Sequence, residues 1–310
     1  MLNKKVLIFG AGGFVGGYLA KEFSSNNYEV YGSDKNTSNN INEFSEFYEC
    51  DLLDINQILS ILKEVKPTHI INLAAVSSVG FSWKIPQTTI SVNVIGTINI
   101  LESVKEICPS SKILFIGSSE EYAPSENPID ENNPLNANNP YGISKAVQEQ
   151  FSEIYRRRYG LKIYYVRPFN HTGIGQSDSF VIPSFCKQVA EIEKHSESGI
   201  IYVGNLEVKR DFSNVKDIVR AYRMIIESDD CNIVYNVGSG IAVSLKEILN
   251  YIIGLSTKHI NIEVDKDLFR PSDNPVICCN SKLIYEKIGW KPEYSIYDTI
   301  REMYNFYLKK

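Results

Sequence analysis

The sequence predicts an α/β fold: a doubly wound parallel sheet followed by a smaller, mixed α/β C-terminal lobe. Three observations predict it. Short apolar runs alternate with helical periodicities through the first half of the chain. The first run leads at once into a glycine-rich turn and a helix. Polar clusters stand at the carboxyl ends of the runs, where open parallel sheets collect their ligands.

The elements follow in order. Residues 6–9 are a buried strand, Gly10-Ala11-Gly12-Gly13-Phe14-Val15-Gly16 is the turn, and residues 17–23 are helical. Strand, glycine turn and helix start bring backbone N–H groups against a pyrophosphate. Residues 28–33 form the second strand, which ends in Asp34. An acid there commonly holds the adenosine ribose hydroxyls and repels a 2′-phosphate, which points to NAD. Lys35 beside it leaves NADP open. Residues 36–43 read as a polar loop, 47–50 as the third strand with Asp51 and Leu52 just past it, and 55–65 as a helix. The fourth strand, 69–73, runs through Leu73 into Ala74-Ala75, small enough for a cofactor to lie close. Residues 88–107 read as one long helix containing Asn93, and 112–116 as the fifth strand, ending in Gly117-Ser118-Ser119-Glu120-Glu121-Tyr122.

Asn138-Asn139-Pro140 is a helix start signal, and Tyr141 and Lys145 share a face of the helix that it opens. A phenol beside an ammonium is a way to bring a tyrosine's titration toward neutral pH, as proton transfer requires. The sixth strand, 162–166, ends in a loop dense in donors, from Arg167 to Gln176. Beyond it the alternation gives way to helix 182–193, strand 200–203, helix 215–227 and strand 233–237. Ser244 caps a helix reaching residue 253, with Glu247 as its capping-box partner. A strand at 260–264 and helices at 281–288 and 295–307 close the chain. The expected division is a dinucleotide-binding unit over 1–170, with roughly 211–240 returning to it, and a substrate lobe over most of 171–310.

Composition excludes other classes. The 310 residues carry a net charge of −5, so there is no basic field for nucleic acid. No apolar run approaches a membrane span, and the N-terminal stretch lacks the pattern of a signal peptide. The six cysteines are scattered, and neither they nor the four histidines show metal-ligand spacing. These features predict a cytoplasmic protein with free thiols and no metal site.

Gly10-x-x-Gly13-x-x-Gly16, Ser118 ahead of Tyr122, Tyr141-x-x-x-Lys145 and Arg167-Pro168-Phe169-Asn170 together resemble the extended short-chain dehydrogenases that act on nucleotide sugars. The resemblance runs over nearly the whole chain and implies a Rossmann sheet. Four stretches resemble the GDP-4-keto-6-deoxy-D-mannose reductase branch in particular: 116–122, 167–173, 203–212 and 268–272. The resemblance implies catalysis by Ser118, Tyr141 and Lys145. Tyr141 would supply the proton, Lys145 would bind the nicotinamide ribose and lower the phenol's pKa, and Ser118 would hold the reacting oxygen. It implies substrate contacts from Asn170, a guanine pocket walled by Asn205 and Leu206, and a diphosphate neutralised by Arg210 and Arg270. Trp83 reads equally as a sugar-site wall and as core. Glu120 stands where sister 4,6-dehydratases carry their base.

The expectation is therefore an NAD(P)-dependent oxidoreductase acting at C4 of a GDP-linked hexose or heptose, in either direction. A GDP-sugar 4,6-dehydratase, a C4 epimerase and a non-catalytic cofactor-binding protein are the alternatives. The helices holding Thr88 and Tyr141 resemble those that pair two subunits in this family, which implies a homodimer or larger assembly.

Overall fold

The computed structural model describes residues 4–36, 41–269 and 274–310. The first half runs β1 (Lys4–Phe9), α1 (Phe14–Ser24), β2 (Tyr28–Asp34), β3 (Glu46–Glu49), α2 (Ile55–Val65), β4 (His69–Asn72), α3 (Val79–Lys84), α4 (Pro86–Ile90), α5 (Gly96–Ile107), β5 (Lys112–Ile116), α6 (Pro140–Tyr159) and β6 (Lys162–Pro168). The second runs β7 (Asn170–Thr172), α7 (Val181–His195), β8 (Ser198–Val203), β9 (Lys209–Asn214), α8 (Val215–Glu227), β10 (Val234–Val237), β11 (Ala242–Ser244), α9 (Leu245–Ile253), β12 (His259–Val264), β13 (Val276–Ile277), α10 (Lys282–Ile288) and α11 (Ile296–Lys309).

Seven strands form the central sheet in the order β10-β6-β5-β4-β1-β2-β3, and every pairing in it is parallel. The apolar run of β1 is buried on both faces. Val6 and Ile8 pack under α1 and α8, while Leu7 and Phe9 pack under α2 and α5. That two-sided burial is why the run is continuous rather than alternating. Successive connections leave β1 in opposite directions, so a crevice opens at the carboxyl ends of β1 and β4. The fold class expected from the sequence is the fold class found.

The remaining strands make two small sheets. One is ordered β11-β9-β13 with β7 beside β9, and the other is the parallel pair β8-β12. Their apolar core lies between α7, α9 and α11. The capping box expected at Ser244 and Glu247 is present, and Asp54 caps α2 by accepting from Asn56 N at 3.0 Å.

Several local expectations are corrected. The helix expected over 88–107 starts earlier, with Pro86 in its first turn, and a π-helical segment at Ser91–Ile95 interrupts it before α5. The loop expected after residue 167 contains β7, and the expected loop at 36–43 ends in a 3₁₀ turn, Ile41–Glu43. β9 has no apolar periodicity, because Arg210, Asp211, Ser213 and Asn214 are buried polar residues. α3 is a short segment with Phe81 and Trp83 exposed, so Trp83 is not a core residue.

Candidate active site

The carboxyl ends of β1, β4, β5 and β6 border a cavity of about 710 Å³. One end is the glycine turn. Gly10 has φ +77°, and a Cβ there would fall 2.4 Å from the Ala74 backbone nitrogen. Only glycine allows this turn to pass so close to the end of β4. α1 begins at Gly13 with no side-chain cap, which leaves its first N–H groups free for an anion. Asp34 Oδ2 accepts from Gly12 N at 3.0 Å, tying the turn to the end of β2. These features fit the pyrophosphate and ribose of a dinucleotide.

Of the residues expected at the cofactor, Gly10, Gly13, Phe14, Val15, Asp34, Lys35, Asp51, Leu52, Leu73, Ala74 and Ala75 border the cavity. Gly12 and Gly16 do not. Gly16 serves packing, since a Cβ on it would meet Ala11 O at 2.0 Å. Lys35 Nζ lies 2.8 Å from Asp51 Oδ2, so a neighbouring carboxylate already engages its charge. Asn93 departs from expectation. It is buried off the cavity wall, and its amide is spent on Val76 N (2.8 Å), Val76 O (3.2 Å) and Ser144 Oγ (2.8 Å). The π segment turns Asn93 inward as a clamp between the β4 loop and α6.

Ser118, Glu120, Tyr141 and Lys145 share the opposite wall. α6 presents Tyr141 because Asn139 caps it, with Oδ1 accepting from Gly142 N at 2.9 Å. A Cβ at Gly142 would meet Glu120 O at 2.2 Å, so glycine lets the helix start approach the turn after β5. Ser118 is buried in that turn and forms a capping box. Its Oγ accepts from Glu120 N at 3.1 Å, and its own N–H donates to Glu121 Oε1 at 2.7 Å. The Ser118 hydroxyl stands near enough to the Tyr141 phenol to favour its charged form. Asn139 Nδ2 donates to Glu120 Oε2 at 2.9 Å, so one residue orients both the catalytic helix and the acid.

The electrostatics correct one expectation. Lys145 Nζ donates to Ile116 O (2.7 Å) and Gln148 Oε1 (3.2 Å) and lies 5.9 Å from the Tyr141 ring centroid. Burial pushes Tyr141 up, opposed by the neighbouring Ser118 hydroxyl and reinforced by the charges of Glu121 and Glu120. Burial also pulls the Lys145 ammonium down to about 8, against the nearby Glu121. Desolvation outweighs the pair's mutual effect in this closed wall.

Glu121 is a part of the site that the sequence reading missed. It is wholly buried behind Ser118, beside Arg167, which forks onto Glu149 at 2.8 and 2.5 Å and donates to Tyr122 Oη at 2.6 Å. Burial, then the like charge of Glu149, raise the Glu121 carboxyl well above its usual range. The capping-box spacing from Ser118 to Glu121 was the available signal. Ser82 was also missed. Its Oγ accepts from Tyr141 N at 3.2 Å, and nothing in the sequence announces that long-range contact.

The substrate expectations divide. Asn170 borders the cavity, and so does His171, whose ring stacks on Phe14 at 6.4 Å. Asn205, Leu206 and Arg210 do not border it. Arg210 is buried and donates to Lys209 O (2.9 Å) and Asn274 O (2.7 Å). Arg270 lies outside the described residues. The wall instead continues through Ser177, Ser179 and Phe180 to the start of α7, whose N-cap Phe180 provides no side-chain cap.

Fold and site together define an extended short-chain dehydrogenase/reductase. Within that class, the chain belongs to the GDP-mannose 4,6-dehydratase family, whose profile matches residues 7–303. The chain is 29% identical to the GDP-6-deoxy-D-mannose reductase of Pseudomonas aeruginosa over 81% of this chain and 83% of that one. It is 32% identical to a Methanocaldococcus jannaschii protein described as a putative UDP-glucose 4-epimerase, over 97% of each. The structure of RMD from Pseudomonas aeruginosa complexed with NADPH superimposes with a TM-score of 0.87, covering 99% of both chains at 26% identity.

Proposed function

We propose that the protein is an NAD-linked oxidoreductase acting at C4 of a GDP-linked sugar, a hexose or heptose, as a 4-keto reductase or in reverse. One observation carries this reading. Ser118, Tyr141 and Lys145 meet on one wall of a cavity whose other end is the glycine turn and Asp34. A bound nicotinamide supplies or accepts the hydride. The chain's own residues manage the sugar oxygen. Reduction leaves negative charge on that oxygen, and Tyr141, kept protonated by burial, is the proton donor. Ser118 donates to the same oxygen and fixes its direction. Lys145, braced by Ile116 O and Gln148, places a positive charge behind the phenol as it loses its proton. Asp34 favours NAD over NADP, because a 2′-phosphate would meet its carboxylate, and the adjacent Lys35 is already paired with Asp51.

The family profile and the reductase relative support the GDP-sugar reading. The test is nicotinamide absorbance when the purified protein meets a GDP-4-keto-6-deoxyhexose with NADH, and a GDP-hexose with NAD. Absence of turnover with every GDP-linked sugar in both directions sinks the proposal. Turnover of UDP-glucose alone would support the epimerase reading instead.

A second reading rests on Glu120, whose carboxylate stands on the cavity wall under the hold of Asn139. There it could act as the base of a 4,6-dehydration. A 4-keto-6-deoxy product without net change in the dinucleotide would support dehydration, and a product that keeps its C6 oxygen rules it out.

In this reading the seven-stranded unit holds the dinucleotide and the smaller sheets hold the sugar nucleotide. Exposed Ile95, Ile143 and Ile154 beside and along the paired helices α5 and α6 support a homo-oligomer. Among the described residues no helix is long and apolar enough to cross a membrane. The six free cysteines accord with a cytoplasmic location.

A further inference from the structure

Glu121 is 0% exposed, although it closes a capping box, a motif that needs no buried acid. The capping box at Ser244 shows the ordinary form, with Glu247 exposed. Nor is Glu121 held as an ion-pair partner. The Arg167 guanidinium is taken up by Glu149, through Nε and Nη2, and by Tyr122 Oη, through Nη1. Glu121 Oε2 stands 3.8 Å from Arg167 Nε and makes no hydrogen bond among the described residues. Burying a carboxyl on these terms costs stability, and the oxygen that is well used is the other one.

That oxygen, Oε1, accepts from Ser118 N at 2.7 Å. On its other side, at 3.4 Å, is Tyr165 Oη, which donates to Lys145 O at 2.8 Å. Gly117 supplies the space, since a Cβ there would fall 2.4 Å from Glu121 Oε1 and 2.4 Å from Tyr165 Cε1. The carboxyl is thus wedged between the turn that carries Ser118 and the ring that braces α6 at Lys145. The same box makes Ser118 Oγ an acceptor from Glu120 N at 3.1 Å. A hydroxyl that accepts there keeps its one hydrogen for another partner, and Ser118 borders the cavity.

We propose that Glu121 is a positioning residue, whose Oε1 fixes the Ser118 main chain so that the Ser118 hydroxyl donates into the cavity at the reacting sugar oxygen. This rests on the role given to Ser118 above. The reach of Oε1 is what counts, and not the carboxylate charge, because the bond it makes to Ser118 is to a neutral N–H.

The test is steady-state kinetics with NADH and a GDP-4-keto-6-deoxyhexose, scaled to folded enzyme, on Glu121→Leu, Glu121→Asp, Glu121→Gln, and Glu121→Leu combined with Ser118→Ala. Leucine removes the acceptor. Aspartate keeps the charge but is one methylene short. Glutamine keeps an acceptor oxygen at full reach without the charge. The expected result is a loss of about ten- to hundredfold in kcat for leucine and aspartate, with KM and NAD affinity unchanged. Glutamine should rescue kcat to within about threefold of wild type. In the Ser118→Ala background the leucine substitution should cost less than about twofold, because the hydroxyl through which Glu121 acts is gone. A glutamine variant as slow as the leucine one overturns the proposal. So does a leucine loss that persists in full without the Ser118 hydroxyl, since Glu121 would then be serving the fold. If Glu121→Leu does not fold, aspartate that matches or exceeds glutamine overturns it. Wild type that turns over no GDP-linked sugar would instead refute the reading of Ser118 on which the proposal rests.

Discussion

Lys145→Met should stabilise the cofactor-free protein while removing its activity. The lysine is 3% exposed, and burial takes its ammonium from 10.5 down to about 8. A tenfold change in a proton equilibrium is about 1.4 kcal/mol, so holding the charge near pH 7 costs about 3 kcal/mol. Methionine fills a similar volume. It leaves Ile116 O and Gln148 Oε1 without the lysine's N–H groups, at about 1 kcal/mol each. The net gain is about 1 kcal/mol, or about 2 °C in melting temperature for a chain of this size. The sign depends on pH. The unfolded chain keeps the lysine proton up to 10.5 and the native one only up to about 8. Between those values the unfolded state binds more protons, so wild-type stability rises with pH across that window. The variant lacks this rise. Its advantage is fully present below about pH 8 and disappears as the pH climbs toward 10.5. Thermal melts of both proteins across that range are the assay. A wild type that is the more stable at neutral pH, or a difference that does not change with pH, refutes the reasoning.

Other outcomes follow from the same geometry. Tyr141→Phe should lower kcat by about 10²- to 10⁴-fold with cofactor affinity and melting temperature unchanged, as read by steady-state kinetics and titration. Asn139→Ala removes the α6 cap and the donor to Glu120. It should cost about 1 kcal/mol in a denaturant melt and lower kcat more than it raises KM. Asp34→Asn combined with Asp51→Asn removes two carboxylates and frees Lys35, so the ratio of kcat/KM for NADPH over NADH should rise by at least about tenfold. Glu120→Gln should leave keto reduction within about tenfold of wild type; a larger loss, together with loss of any 4,6-dehydration, would favour the dehydratase reading.

Most of the central sheet was legible because strands such as β1, β4 and β5 are continuous apolar runs closed by glycine or polar residues, and in the smaller lobe the helix start read at Ser244 has the side-chain cap expected of it. The small sheets were less legible. β7 and β9 are polar strands, and in β9 Arg210, Asp211 and Asn214 are buried with hydrogen bonds, so the apolar period that reveals a strand is missing. Asp211 shows this: its carboxylate accepts from Ser239, Gly240 and Cys279 and joins three segments distant in sequence. The π segment around Asn93 was invisible for another reason. Its side-chain pattern is that of an ordinary helix, and only the clamp on Val76 and Ser144 gives the extra residue a purpose. In the candidate site, Ser118, Tyr141 and Lys145 carried short-range spacings, whereas Ser82 meets the Tyr141 backbone through tertiary packing alone.

Hydride transfer at C4 of a GDP-linked sugar, with Tyr141 handling the proton, is open to a direct isotopic test. The most direct measurement uses NADH deuterated at the transferable position, a GDP-4-keto-6-deoxyhexose, and nuclear magnetic resonance of the product. Wild type should place one deuterium at C4, and Tyr141→Phe almost none. Deuterium at another carbon, or a turned-over product carrying none, would contradict it.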